Sequence, residues 1–318
     1  MKQNYRIILL ACLAVLICSL FLFYNIGPSW EYILPRRAIK VFAIVLTGSA
    51  IAFSTVIFQT ITSNRILTPS IIGLDSLYML IQTFLIFVFG STSFIAMNKN
   101  MNFLISILLM AGFAMLLYRF LFKGEGRNIY FLLLVGIVFG TLFGSLSTFM
   151  QVLIDPNEFM MVQDRMFASF NNVNSDLLIL SFVLFGGILL YTARYIKYLD
   201  VLSLGKDHAI NLGVPYNQVV QRLLIVIAIL VSLSTALVGP ITFLGLLVAN
   251  ITYEFMKTYK HKQLLTASIL ISISALVGGQ LIVERVFTFS TTLSVIINFI
   301  GGTYFIYLLL RESKKWSK

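Results

Sequence analysis

The chain has 318 residues, 59% of them apolar and 11% charged, and its 23 Lys and Arg against 12 Asp and Glu leave a net charge of +11. Soluble domains run at about 45–50% apolar and about 25% charged, so a water-soluble enzyme, a secreted disulfide scaffold and a disordered chain are excluded. At ~20 residues per bilayer span, the apolar residues supply nine or ten spans and leave too little chain for a folded soluble domain of ~50 residues beside them.

Charges, prolines and glycine turns divide the chain into ten apolar stretches, 7–24, 38–61, 70–90, 102–121, 129–150, 176–195, 217–238, 241–256, 264–283 and 292–310. The pattern predicts an all-α integral membrane protein of about ten transmembrane helices, with residues 1–318 as a single transmembrane domain. The first stretch resembles a signal peptide, because Lys2 and Arg6 precede it and Leu9-Leu10-Ala11-Cys12 looks like a lipoprotein cleavage site. Its apolar run exceeds the 7–15 residues of a signal core, and nine further spans follow, so a retained helix is expected. Cys12 and Cys18, both inside it, read as small core residues. The eighth stretch is short and begins at Gly239-Pro240.

The basic residues sit in small groups between the apolar stretches, as orienting charges do. They form neither a run nor one face, so a nucleic-acid partner is not expected. Counting Lys and Arg on alternate sides puts 17 on one side: Lys2, Arg6, Arg65, Arg119, Lys123, Arg127, Arg194, Lys197, Lys206, Arg222, Lys257, Lys260, Lys262, Arg311, Lys314, Lys315 and Lys318. Six fall on the other: Arg36, Arg37, Lys40, Lys99, Arg165 and Arg285. Ten spans then place both termini on the richer, cytoplasmic side.

Ion-coupled carriers hold ionisable groups near the bilayer midplane. Here Lys40, Asp75, Arg119, Asp176, Arg194, Arg222, Glu254 and Arg285 are all expected near span ends, and His208 and His261 in inside loops. That leaves little machinery for using an ion gradient and no constellation for intramembrane catalysis or a metal. No cofactor is expected. The sequence contains no G-x-x-x-x-G-K-[ST] phosphate loop, so the energy source of a pump has to lie outside the chain. A ten-helix secondary carrier for small metabolites is the alternative that size alone allows.

Small residues crowd the second span (Gly48, Ser49, Ala50, Ala52, Ser54), and Gly136, Gly140 and Gly144 recur at i, i+4 and i+8 in the fifth. Gly278-Gly279 and Gly301-Gly302 punctuate the last two. Such faces either pack helices closely or line a moving path.

Three segments do more than span. One runs from Leu34-Pro35-Arg36-Arg37, outside, through Gln59 to Ser63-Asn64-Arg65-Ile66-Leu67-Thr68-Pro69, inside. The second is the inside stretch of about 203–214, in which Gly205 and Gly213 bracket a two-turn helix with a glycine stop. Lys206, Asp207 and His208 are set against Ala209 and Leu212. The resulting amphipathic segment suits either a groove in a soluble partner or a membrane-surface loop. The third is Gly239-Pro240-Ile241-Thr242-Phe243-Leu244-Gly245-Leu246-Leu247-Val248-Ala249-Asn250.

Together these segments resemble the permease subunits of iron-siderophore and cobalamin-type ABC importers, the ten-helix type II import fold, from about residue 34 to 311. Where the family pattern resembles R-x-P-R, then Q and R-N-P-L-A-x-P-x-x-L-G, this chain reads Leu34-Pro35-Arg36-Arg37, Gln59 and Asn64-Arg65-Ile66-Leu67-Thr68-Pro69-Ser70-Ile71-Ile72-Gly73. L-G-x-x-x-A-x-x-L-G-V is met at Leu204, Gly205, Ala209, Leu212, Gly213 and Val214, and G-x-I-x-F-x-G-L at Gly239, Ile241, Phe243, Gly245 and Leu246. Two departures stand out. Val248-Ala249-Asn250-Ile251-Thr252-Tyr253-Glu254 replaces a proline–histidine–arginine run, and Phe289-Ser290-Thr291-Thr292 replaces a proline–glutamate–proline loop. They look like a Gram-positive siderophore subgroup, and the Ala-Asn-Ile-Thr-Tyr-Glu stretch looks most like importers of catecholate siderophores such as petrobactin.

The resemblance implies an ATP-driven importer in the bacterial plasma membrane. Its partners would be a second permease (a similar chain, or a second copy), two cytoplasmic ATPase subunits that hydrolyse the ATP, and a lipid-anchored or periplasmic substrate-binding protein outside. It implies that Gly205, Ala209, Leu212, Gly213 and Val214 couple to the ATPase. Arg36, Arg37 and Arg285 would dock the binding protein, with lipid-headgroup anchoring as the other reading of the first two. Gln59, Asn64, Pro69, Gly73, Gly239, Pro240 and Gly245 would belong to the translocation path and the family motif.

Overall fold

The computed structural model describes residues 2–26, 28–94, 98–121, 129–171, 173–288 and 291–316. Among these the chain forms thirteen α-helices and no strand: α1 (Lys2–Phe23), α2 (Trp30–Thr62), α3 (Leu74–Phe89), α4 (Lys99–Leu121), α5 (Ile129–Leu153), α6 (Pro156–Met166), α7 (Ser175–Ala193), α8 (Ile196–Leu202), α9 (Lys206–Asn211), α10 (Tyr216–Val238), α11 (Leu244–Met256), α12 (His261–Arg285) and α13 (Leu293–Trp316). Eight are long and apolar enough to cross a membrane, and α3 and α11 are shorter apolar helices. These ten coincide with the ten predicted stretches. Of the residues used in the charge count and the loop comparison, Lys123, Arg127, Phe289, Ser290 and Lys318 lie outside the described residues.

α2 is the central post. From Ala43 to Thr62 it is buried almost without interruption, packed on α10, α11 and α12. Its small residues allow this. The Ser272 hydroxyl of α12 donates to the Gly48 carbonyl at 2.9 Å, and a Cβ on Gly48 would lie 2.9 Å from that oxygen and from Leu276 Cδ1. The helix starts at Trp30, earlier than the predicted residue 38, and runs through Pro35. That proline sits near the N-terminal end, where its missing N–H removes little from the ladder.

The two short spans begin inside the bundle. After α2 the chain turns at Ser63, which takes a left-handed conformation, and returns to a 3-10 turn at Pro69–Ile72 before α3 starts. Sixteen residues of α3 rise about 24 Å at 1.5 Å each, less than a ~30 Å hydrocarbon core. The turn rests on the glycine stripe of α5. A Cβ on Gly73 would meet Gly140 Cα at 2.8 Å and the Gly136 carbonyl at 3.0 Å, and a Cβ on Gly136 would meet Ile72 Cα at 2.8 Å. Gly144, third in the stripe, has open space, so packing explains two of the three.

α1 lies at the edge, against α12, and arginines hold its ends. Arg37 Nη1 donates to the carbonyls of Phe21, Leu22 and Tyr24 at 3.2, 3.1 and 2.8 Å, satisfying the orphan acceptors of the α1 C-terminus. Arg285 Nη2 adds a bond to Tyr24 O at 3.2 Å, and the nearby Lys40 and Glu284 pair at 2.8 Å. At the other end Arg6 Nη1 donates to the carbonyls of Phe255 and Met256, closing α11, at 2.8 and 3.0 Å.

Two stability outcomes follow from this packing. Gly136→Val should lower the thermal unfolding midpoint of the detergent-solubilised protein, by the ~1–3 kcal/mol typical of overpacking, while Gly144→Val leaves it within error. Arg37→Ala strips a buried charged donor from three carbonyls and should destabilise by about 1.5–3 kcal/mol. Arg36→Ala, on an exposed side chain, should change the same midpoint by less than about 0.5 kcal/mol.

Candidate functional site

The end of the bundle at which α10 begins carries a small foot. α8 ends at Leu202, and Gly205 turns the chain at φ +95° into the six-residue α9. Gly213, at φ +80°, ends the segment. Its N–H donates to Ile210 O at 2.9 Å and the Val214 N–H to Ala209 O at 3.0 Å, closing the helix end as glycine stops do. Ala209 is fully buried and Val214 nearly so, pinning the foot against α8 and α10.

Ala209 and Leu212 were expected on one apolar face, and the structure corrects this. α9 stops at Asn211, and Leu212 is the cap residue, so it leaves the helical register and points outward, 63% exposed. Leu204 and Ile210 are exposed with it. The surface the foot offers is therefore Leu204, Ile210 and Leu212, and Ala209 is its anchor. Ile210 went unnoticed in the sequence because glycine spacing marks a foot without saying which way its side chains point.

Beside the foot opens a cleft of about 710 Å³, lined in part by Gln59, Arg65, Leu204, Tyr253, Lys257 and His261. Gln59 is buried, and its Nε2 donates to the Arg65 carbonyl at 2.7 Å. Asn250 Nδ2 donates to the same carbonyl at 3.0 Å and to Leu246 O at 2.9 Å. Asn64 Oδ1 accepts the Ile66 N–H at 2.9 Å, and the Arg65 guanidinium lies 4.7 Å from the Tyr253 ring centre. Asn250 and Tyr253, quoted above only as departures from a pattern, thus brace the turn that follows α2. His261, expected in an inside loop, is instead the first residue of α12 and is buried.

Deeper in the bundle, Pro69 and Gly245 line a cavity of about 20 Å³ with Ser54, Thr55, Ser234 and Asp75, room for about one water. Asp75 sits in the first turn of α3, near a span end as expected, but α3 begins within the bundle, so Asp75 is enclosed by Ser54 and Thr55 of α2 and by Ser234 and Thr235 in the last turns of α10. The Thr235 hydroxyl lies 3.5 Å from its Oδ1, and its Oδ2 is buried without a hydrogen-bond partner among the described residues.

At the other end of α10 from the foot, Gly239 turns at φ +102° against the Ala168 backbone, where a Cβ would lie 3.0 Å from Cα, and Pro240 is buried beside it. Below this turn lies a polar cavity of about 520 Å³, lined in part by Gln82, Lys99, Asn102, Asp164 and Arg165, which sequence reasoning missed. Arg165 Nη1 donates to Gln82 Oε1 at 2.6 Å. Of the three arginines expected to dock a partner, Arg36 is exposed, with its guanidinium 4.1 Å from the Tyr32 ring centre, and Arg285 is exposed too. Arg37 is only 9% exposed. Its guanidinium donates to the carbonyls of Phe21, Leu22 and Tyr24 where α1 ends, so unlike the other two it offers little surface to a partner.

Comparison with known proteins agrees with this arrangement. The chain is 67% identical over 316 residues to the petrobactin import system permease protein YclO of Bacillus subtilis, covering 99% of this chain and 100% of the relative. It is 36% identical to the petrobactin import system permease protein FatC of Bacillus anthracis, covering 98% and 90%. A solved metal-chelate type ABC transporter in an inward-facing conformation superposes with a TM-score of 0.85 at 21% identity, covering 97% of this chain and 99% of that one. The fold is that of a type II ABC importer permease. The model of the FecCD transport family matches residues 8–311, and the chain belongs to that family.

Proposed function

We propose that the chain is the transmembrane permease subunit of an ATP-driven importer for iron–siderophore complexes, with petrobactin-type catecholate chelates as the substrate class. The single observation that carries the reading is the foot. A membrane bundle without a phosphate loop presents Leu204, Ile210 and Leu212 to water on a short rigid segment, the shape of an apolar knob for a partner's groove. The petrobactin permeases to which the chain is 67% and 36% identical support the substrate class. The chain moves solute and is no enzyme.

In this reading two ATPase subunits bind beneath, one foot in each groove. A second permease, similar in sequence or a second copy, completes the translocation path, and a lipid-anchored or periplasmic binding protein delivers the chelate outside. Both termini face the cytoplasm, as the charge count of 17 against six requires. Arg36 and Arg285 remain the docking charges, since rim charges steer association without being buried. Gln59, in the wall of the inner cleft, and the braced turn from Asn64 to Gly73 lie on the inner half of the path. The Asp75 carboxylate is a feature an ion-coupled carrier would share, but membership of the FecCD family does not favour that alternative.

Leu212→Asp and Ile210→Asp, made in the complete importer, should each abolish ATPase binding and chelate uptake while the permease stays membrane-inserted, as read by co-purification and radioactive ferric petrobactin uptake. Unchanged uptake would overturn the role of the foot. Ala209→Asp is a poorer test, because a charge on a fully buried residue unfolds the foot itself. Reversing Arg36 and Arg285 to Glu should slow binding-protein docking at low salt and matter little at high salt, measured as association rates on immobilised importer. A salt-independent rate would count against the docking surface.

A further inference from the structure

The foot reaches the bundle by two routes. One is direct, since α9 packs on α10 and joins it through Gly213 to Pro215. The other passes through α8, which packs on α2 and α12. The second route is a continuous chain of hydrogen bonds.

Asp200, in α8, accepts the backbone N–H of His261 at 2.7 Å and faces His261 Nδ1 at 2.7 Å. A carboxylate can only accept, so Nδ1 carries the hydrogen. His261 Nε2 lies 2.8 Å from Thr60 Oγ1 in α2, and that oxygen lies 2.8 Å from the Val56 carbonyl. When the imidazole is charged, Nε2 donates and the hydroxyl hydrogen goes to Val56. When it is neutral, the hydroxyl turns to Nε2. The chain is closed in either state.

Its members are well placed to carry a displacement. The His261 side chain is 4% exposed against 42% for Asp200, so the imidazole is packed on all sides while the carboxylate stands at the water-facing end, five residues before Gly205. Close-packed groups shift together and do not yield gradually. Thr60 and His261 also line the cytoplasmic cleft, as do Ser203 and Leu204 at the root of the foot. A movement of α8 is thus handed to two helix ends in the wall of that cleft.

We propose that His261 is a positioning residue for transport: the Asp200–His261–Thr60 chain is a strut that passes displacement of the foot to α2 and α12 and so sets how much solute crosses per ATP hydrolysed. This rests on the reading of segment 203–214 as the ATPase-binding foot. The direct route through α10 remains when the strut is cut, so transport falls without vanishing.

The test uses the complete importer in proteoliposomes, with ATP hydrolysis and ferric petrobactin uptake measured on the same sample. Asp200→Ala, which leaves His261 Nδ1 without its acceptor, and His261→Gln should each keep the ATPase bound and its hydrolysis within about twofold, while uptake per ATP falls by about fivefold or more, the lower edge of a coupling free energy between sites. The double variant should be no worse than either single one, because all three remove the same strut. An unchanged ratio in both single variants overturns the proposal. So does a ratio that falls additively and only in step with loss of assembled importer, which marks a purely structural role. If His261→Gln fails to assemble, Asp200→Ala, on a partly exposed side chain, carries the same comparison. Leu212→Asp separates the two readings. An ATPase that still binds this variant sinks the foot, whereas an ATPase that is lost from it but couples normally to His261→Gln sinks only the strut.

Discussion

Hydrocarbon offers no water to a broken helix, so each backbone group freed by a break has to find a partner within the protein. Two short helices, α3 and α11, follow turns within the bundle, and the turn after α2 is satisfied by side chains from both near and distant sequence. The Arg65 carbonyl collects Gln59 from one side and Asn250 from the other. The turn that follows is clamped by Gly136 and Gly140, which let its backbone approach to contact distance. With these braces, two helices start inside the bundle, and the cavities beside them have polar walls. Without them the spans would have to be continuous, and the protein would be a plain bundle with no interior surface for a path.

The same economy governs the arginines. A C-terminal helix end leaves four carbonyls without partners, and Arg37, Arg285 and Arg6 supply donors where α1 and α11 end. Arg36 and Arg37 are adjacent in sequence, yet one faces water and the other is buried. Helical geometry turns neighbours about 100° apart, and that rotation assigns one to the surface and the other to the neighbouring helix.

Much of the architecture was legible in the sequence because the bilayer filters it so strongly. Ten apolar stretches became ten helices, and the paired glycines at 205 and 213 marked a foot that folds as a separate turn. The hidden features all depend on where a side chain points after the helices meet. Ala209 and Leu212 are three residues apart, but the helix ends between them. Asp75 is the span-end residue the sequence makes it, but nothing local announces that the preceding turn dips inward and encloses it in the bundle. His261 reads as a loop residue until α8 folds beneath it, and no local pattern announces that Asp200 will be its partner. Asn250 and Tyr253 were visible only as a mismatch to a family pattern, and the mismatch turned out to be the brace.

The attachment of α1 has a bearing on how the protein is made. This helix is synthesised before α12, on which it rests, and its clasps come from Arg37 on α2, Arg285 on α12 and the end of α11. Two of the three therefore become available only when the later helices have been made, so the complete seat of α1 requires almost the whole bundle.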